Sequence, residues 1–154
     1  MKIITSENYY LPDETIESFG FLERKTGEQR PITEEDMINL ASNLTLNEYV
    51  PNEINEMFEA SKALYMYGYL YWTFLTLAQE QSFKAFEATI AKTHEIVFGN
   101  NYSPNGKKRL QLSDMINCLV KFGIIPEEKE RKYWAIRNFR NQSFHPSMQS
   151  QWGN

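Results

Sequence analysis

Near the end of this 154-residue chain, Arg140-Asn141-Gln142-Ser143-Phe144-His145 places a guanidinium, an amide and an imidazole in one short run. Imidazole is the side chain that gives and takes protons near neutral pH. Guanidinium is a planar, permanently charged fork that matches phosphate oxygens. Together they are the minimum parts for breaking a phosphodiester without a metal ion, one group moving protons and the other holding charge on the phosphate. Pro146 disfavours helical geometry for the residue before it, so His145 is expected at or just past a helix end. The partly negative helix C-terminus there favours the protonated ring.

A helical projection of residues 131–145 sorts the neighbours. Arg137, Asn141 and His145 form an i, i+4, i+8 stripe with Trp134 and Asn138 beside it. Ala135, Ile136, Phe139 and Ser143 gather on another side, expected to face the core, with Arg140 between the two. Arg140 and His145 are about 140° apart around an ideal helix and about 7.5 Å apart along it. They are poor partners inside one rigid helix. Either the helix end unwinds at Pro146, or the same helix of a second subunit completes the site, as a two-fold dimer does naturally.

The elements that must carry this run read as helices. Residues 1–49 are polar and punctuated by Pro12, Gly20, Gly27 and Pro31, which predicts an irregular arm with one short helix capped by Thr33. Pro51 opens a second helix with Ile54, Phe58, Ser61, Leu64 and Tyr65 at helical spacing. Gly68 breaks it, and a long helix follows from about Leu70 to Phe98, ended by Gly99-Asn100-Asn101. Ser113 is expected to cap the next helix, Gly123 to stop it, and Pro126 to open the last one. No strand pair is evident. Residues 50–154 are therefore expected to form a small antiparallel bundle, giving an all-α fold of four to five helices.

Composition sets the outer limits. The length suits one ordinary domain, and 42% hydrophobic residues suffice for a core without disulfide or metal. Cys118 stands alone and reads as a small core residue. No signal peptide or membrane span is visible, so a cytoplasmic location is the default and no membrane partner is expected. Residues 1–98 carry 7 Lys and Arg against 16 Asp and Glu, whereas residues 99–154 carry 9 against 4. That asymmetry suits either an anionic partner for the last helix or docking of the basic half on an acidic surface.

The segment Ile136-Arg137-Asn138-Phe139-Arg140-Asn141-Gln142-Ser143-Phe144-His145-Pro146 resembles the last core helix of the HEPN superfamily, marked by an Arg–polar–x–x–x–His motif. The preceding layout is similar, with Leu64-Tyr65-Met66-Tyr67-Gly68-Tyr69, then Leu77 to Ala85, then Leu112-Ser113-Asp114-Met115-Ile116 closed by Phe122-Gly123-Ile124-Ile125-Pro126. The resemblance spans about residues 50–146. It implies a helical homodimer joined through the last helix, and in catalytic members a metal-independent endoribonuclease of toxin–antitoxin or phage-defence systems. By the resemblance, Arg140 stabilises the scissile phosphate, His145 is general base or acid at the ribose 2′-hydroxyl, and Asn141 orients them. Arg137 is a candidate second substrate contact. Neither cofactor nor metal is implied. Members without activity serve as dimerisation or binding modules, or partner a separate nucleotidyltransferase or antitoxin chain.

Other features read more plainly. The aromatic set Tyr65, Tyr67, Tyr69, Tyr71, Trp72 and Phe74 is expected in the core, Lys107-Lys108-Arg109 in a solvated loop, and His94 facing solvent.

Overall fold

The computed structural model describes residues 2–103 and 105–143, which are 58% helix and 6% strand, an all-α fold. Among these residues the elements run α1 (Glu14–Glu17), β1 (Gly20–Leu22), β2 (Gln29–Pro31), α2 (Glu34–Ser42), α3 (Asn52–Tyr67), α4 (Thr73–Phe98), α5 (Leu112–Lys121) and α6 (Glu127–Ser143). They divide into two compact units, and the boundary falls inside α4 between Ser82 and Phe83. No described helix is long and apolar enough to cross a membrane.

In the first unit the N-terminal residues are tied down by directed bonds. Lys2 Nζ donates to the Leu70 and Leu11 carbonyls at 2.9 and 2.6 Å. Asp13 is 2% exposed. Its carboxylate accepts from the Trp72 N–H at 3.0 Å and caps α1 through Thr15 N–H at 2.9 Å, while its own N–H donates to the Tyr69 carbonyl at 3.0 Å. Phe19 stacks on Trp72 with centroids 5.0 Å apart.

The strand pair corrects the sequence expectation. β1 and β2 are antiparallel, with Phe21 opposite Arg30, whose guanidinium lies 4.8 Å from the Phe21 ring centroid. Strands of three residues are too short to show an alternating pattern, which is why none was legible. Arg30 then reaches α2, making a two-pronged bond to Asp36 at 2.6 and 2.7 Å. Asp36 is also the reciprocal half of a capping box with Thr33, which caps α2 as its sequence position predicts.

The turn between α3 and α4 starts at buried Gly68. A Cβ there would collide with the Leu75 side chain and the Tyr65 carbonyl, so only glycine fits. This close approach, with Asp13 holding the Trp72 N–H, keeps residues 68–72 out of α4 and moves its start from the expected Leu70 to Thr73. Ser61 of α3 donates to the Ala78 carbonyl of α4 at 2.8 Å and is buried there. The expected aromatic core is only half realised: Tyr65, Tyr69, Tyr71, Trp72 and Phe74 are half-buried, and Tyr67 is exposed.

The second unit is built on one apolar cluster. Ile90 of α4, Met115, Ile116 and Leu119 of α5, and Ile125 are buried together. Phe86 and Phe98 of α4 and Tyr133 and Trp134 of α6 pack around them. Gln111, not Ser113, occupies the cap position of α5.

The two buried or bridged carboxylates set an acid limit. Burial opposes ionisation of Asp13, but hydrogen bonds from the Trp72 and Thr15 backbone outweigh it and hold its pKa below the usual carboxylate range. The Arg30 hydrogen bond holds Asp36 well below that range despite partial burial. Groups with depressed folded pKa contribute their stability above the unfolded value of about 4 and lose it as the pH falls below that. Thermal melts should therefore be flat from pH 7 to about 4.5 and drop steeply below 4. Asp13→Ala should cost about 2 kcal/mol at pH 7 and flatten the acid limb. An unchanged acid limb in that variant would contradict the assignment.

Candidate functional site

α6 begins with Glu127, Glu128 and Glu130 in its first turn, where the helix dipole favours negative charge, and carries Arg140 in its last. Its orientation departs from the expected one. Tyr133 and Trp134 face the cluster, whereas Ala135 is exposed and Phe139 is 60% exposed. Ile136 and Ser143, the other members of that expected core side, are half-buried. The reason is ring size: partly burying two large aromatic side chains, with Tyr133 tilted at 43° against Phe86 and centroids 5.8 Å apart, outweighs burying Ala135 and Phe139. The helix thus turns an apolar residue outward and brings Arg140 to the flank of α4.

Arg140 meets α4 directly. Its Nε donates to Glu87 Oε1 at 2.5 Å, and its Nη1 to the amide oxygen of Asn141 at 3.3 Å. The side chain keeps 36% of its surface open. A pair this exposed contributes at most about 1 kcal/mol to stability. Its greater effect is on direction: the carboxylate takes the Nε edge and so fixes how the guanidinium plane is presented. Glu87 lacked any legible signal, since it lies more than fifty residues away in sequence.

Arg137 is half-buried, and its guanidinium lies 5.4 Å from the Trp134 ring centroid. Trp134 Nε1 donates to Glu130 at 3.1 Å, so Glu130, Trp134 and Arg137 form a ladder on one helix flank. The contact of Arg137, a candidate second substrate contact, is thus with an aromatic face of its own helix. Asn141 is exposed. Ser143 Oγ donates back to the Phe139 carbonyl at 2.9 Å. His145 and Pro146 lie outside the described residues, so the structure brings together Arg140, Asn141 and, through α4, Glu87, while the position of the imidazole is not among them.

His94 is the residue that sequence reasoning misplaced. It is 3% exposed, not solvent-facing. Its Nδ1 lies 3.0 Å from both the Asn100 carbonyl and the Asn101 amide oxygen, and a carbonyl partner requires that Nδ1 carries the proton. The ring also packs on Phe98 with centroids 4.6 Å apart. The signal was present: Ile90, His94 and Phe98 recur every four residues on one helix face. Among the described residues no group of three or more His, Cys, Asp and Glu side chains is arranged to hold a metal ion.

Because His94 satisfies the carbonyl that follows α4, His94→Ala should leave that oxygen wanting and open a void beside Phe98. Urea unfolding should show a loss of about 2 kcal/mol, and a change under 0.5 kcal/mol would contradict the bond pattern. Comparisons of the chain with protein families, with characterised proteins and with solved structures give no match.

Proposed function

We propose that the chain is a metal-independent endoribonuclease of the HEPN type, acting through Arg140, Asn141 and His145. The observation that carries the reading is the Arg140–Asn141 pair in the last turn of α6, with the guanidinium directed by Glu87 and a third of its side chain open. A cation fixed in direction but open to solvent suits a phosphate that must gain charge in the transition state. His145, two residues beyond the described end of α6, supplies the group that moves protons.

In this reading the imidazole of His145 takes the proton of the ribose 2′-hydroxyl. The 2′-oxygen then attacks the adjacent phosphorus, and the 5′-oxygen of the next nucleotide leaves with a proton returned from an acid. The products are a 2′,3′-cyclic phosphate and a free 5′-hydroxyl. Arg140 offsets charge on the non-bridging oxygens, and Asn141 orients the guanidinium through its amide oxygen. The same residues of a second subunit provide the acid in a homodimer joined through α6. Arg137 is a further substrate contact only if RNA displaces it from Trp134. Such an activity needs restraint in a cell, which suits a toxin–antitoxin or phage-defence setting in the cytoplasm.

A second reading draws on Phe139, exposed where a core residue was expected. An exposed aromatic ring among the exposed polar residues Asn138, Asn141 and Gln142 suits a dimerisation or binding module without activity, or a partner of a separate nucleotidyltransferase or antitoxin chain.

Incubating the protein with mixed RNA and a chelator separates the two. The proposed activity gives persistent cleavage with 2′,3′-cyclic phosphate ends. His145→Ala and Arg140→Ala lower its rate by at least about a hundredfold while the oligomeric state is kept. Absence of cleavage, with both substitutions dissolving the oligomer, favours the binding module. Glu87→Gln removes the negative charge beside Arg140 and should tighten binding of uncleavable 2′-O-methyl RNA roughly fivefold. Weaker binding in that variant would mean that Glu87 is needed to aim the guanidinium more than it competes with phosphate.

A further inference from the structure

The loop between α4 and α5 has properties that a solvated connection does not need. From Ile96 to Ser113 there is no acidic residue, and Lys107, Lys108 and Arg109 stand consecutively. All three are exposed, and none forms an ion pair with a described residue. The backbone that presents them is cross-braced. Ser103 N–H donates to the Lys108 carbonyl at 2.7 Å, Gly106 N–H to the Ser103 carbonyl at 2.7 Å, and Leu110 N–H to the Asn101 carbonyl at 2.9 Å. Gly106, at φ +69°, makes the turn. His94 pins the start of the loop through Asn100 and Asn101.

The bracing also selects which side chains face together. Tyr102 and Arg109 form an isolated antiparallel bridge, and directly opposed residues in such a pair share one face. Tyr102 is 54% exposed. The Tyr102 and Arg109 side chains therefore leave the backbone on one face, with two lysines following the turn. A depression of about 390 Å³ lined by Asn100, Tyr102, Ser103 and Gly106 adjoins them. Asn100, Ser103 and Gly106 line it beside the Tyr102 ring, with no aliphatic side chain to enter a lipid surface, so a membrane is a poor fit. An acidic protein would engage the cations but not the ring. A ring for one base beside cations for the backbone is the combination that single-stranded nucleic acid uses.

We infer that Tyr102, Lys107, Lys108 and Arg109 form a docking loop for single-stranded RNA, with Tyr102 stacking an unpaired base and the three cations contacting successive phosphates. Such docking rests on RNA being the ligand of the chain, as proposed above, but not on the end of α6 cutting it.

The test is the binding of a fluorescent 2′-O-methyl oligonucleotide to the full-length protein across a salt series. Its blocked 2′-oxygen prevents cleavage. Three phosphate contacts on a single strand contribute about 2 to the slope of log affinity against log salt. Changing Lys107, Lys108 and Arg109 together to Ala should remove that slope and weaken binding about a hundredfold at 0.1 M salt. Lys107→Arg with Lys108→Arg should bind like the parent. Tyr102→Ala should lose about tenfold, and Tyr102→Phe should lose little. A triple variant that folds like the parent by circular dichroism and binds RNA equally well overturns the proposal. So does a parent protein that binds no RNA, or one that binds anionic phosphatidylserine vesicles in its place. Tight loop-dependent binding without any cleavage of ordinary RNA would defeat the nuclease reading and leave the docking loop standing. Cleavage with parental KM in the triple variant would do the reverse.

Discussion

The placement of α6 depends on two aromatic rings. α6 has no fully buried side chain among its described residues, so what seats it is the packing of Tyr133 and Trp134 on the Ile90, Ile116 and Leu119 cluster. Each ring removes about 150–250 Å² from water when buried, far more than the alanine and exposed phenylalanine on the other side can offer. That choice of face fixes everything downstream. It brings Arg140 against Glu87 of α4, lays Arg137 over Trp134, and turns Phe139 outward. A substitution at Tyr133 therefore acts on Arg140 through the seating of α6, and one at Trp134 also removes the ring beneath Arg137.

The electrostatics follow from the same packing. Most of the acidic excess lies in residues 1–98, yet the carboxylate that meets Arg140 is placed by the second unit itself, on the Phe83–Phe98 part of α4. Glu87 thus narrows the directions that the guanidinium can take while the charge stays open to solvent. The basic residues after Glu95 have few such partners. Lys107, Lys108 and Arg109 stand on a braced loop with no acidic residue between Ile96 and Ser113, whereas on α6 Arg140 meets an anionic ligand beside Glu87.

The sequence was legible where local rules decide. Thr33 caps α2, Pro51 precedes α3, Gly99 follows the last residue of α4, and Pro126 precedes α6, each within a residue or two of expectation. It was illegible where a distant partner decides. Asp13 holds the Trp72 N–H from 59 residues away, and together with the Gly68–Leu75 approach it delays α4. The strand pair rests on a Phe21–Arg30 contact too short in extent to leave a pattern. His94 was misread because residue type suggested solvent, although its spacing from Ile90 and Phe98 already placed it in the core. On α6, counting apolar residues favoured the Ala135–Phe139 side, but ring area decided the matter. The motif at Arg140 and Asn141 was visible as spacing, whereas the carboxylate that directs it was not.

The central claim is that Arg140 and His145 meet one phosphate. Its most direct measurement is a nuclear magnetic resonance titration of the protein, with uncleavable RNA added, that follows the Arg140 Nε–H and the His145 imidazole. On this account both resonances move together in one saturable step, because RNA engages the guanidinium beside Glu87 and the imidazole at once. The account is contradicted if RNA binds, shown by shifts elsewhere, while the Arg140 and His145 signals stay where they were.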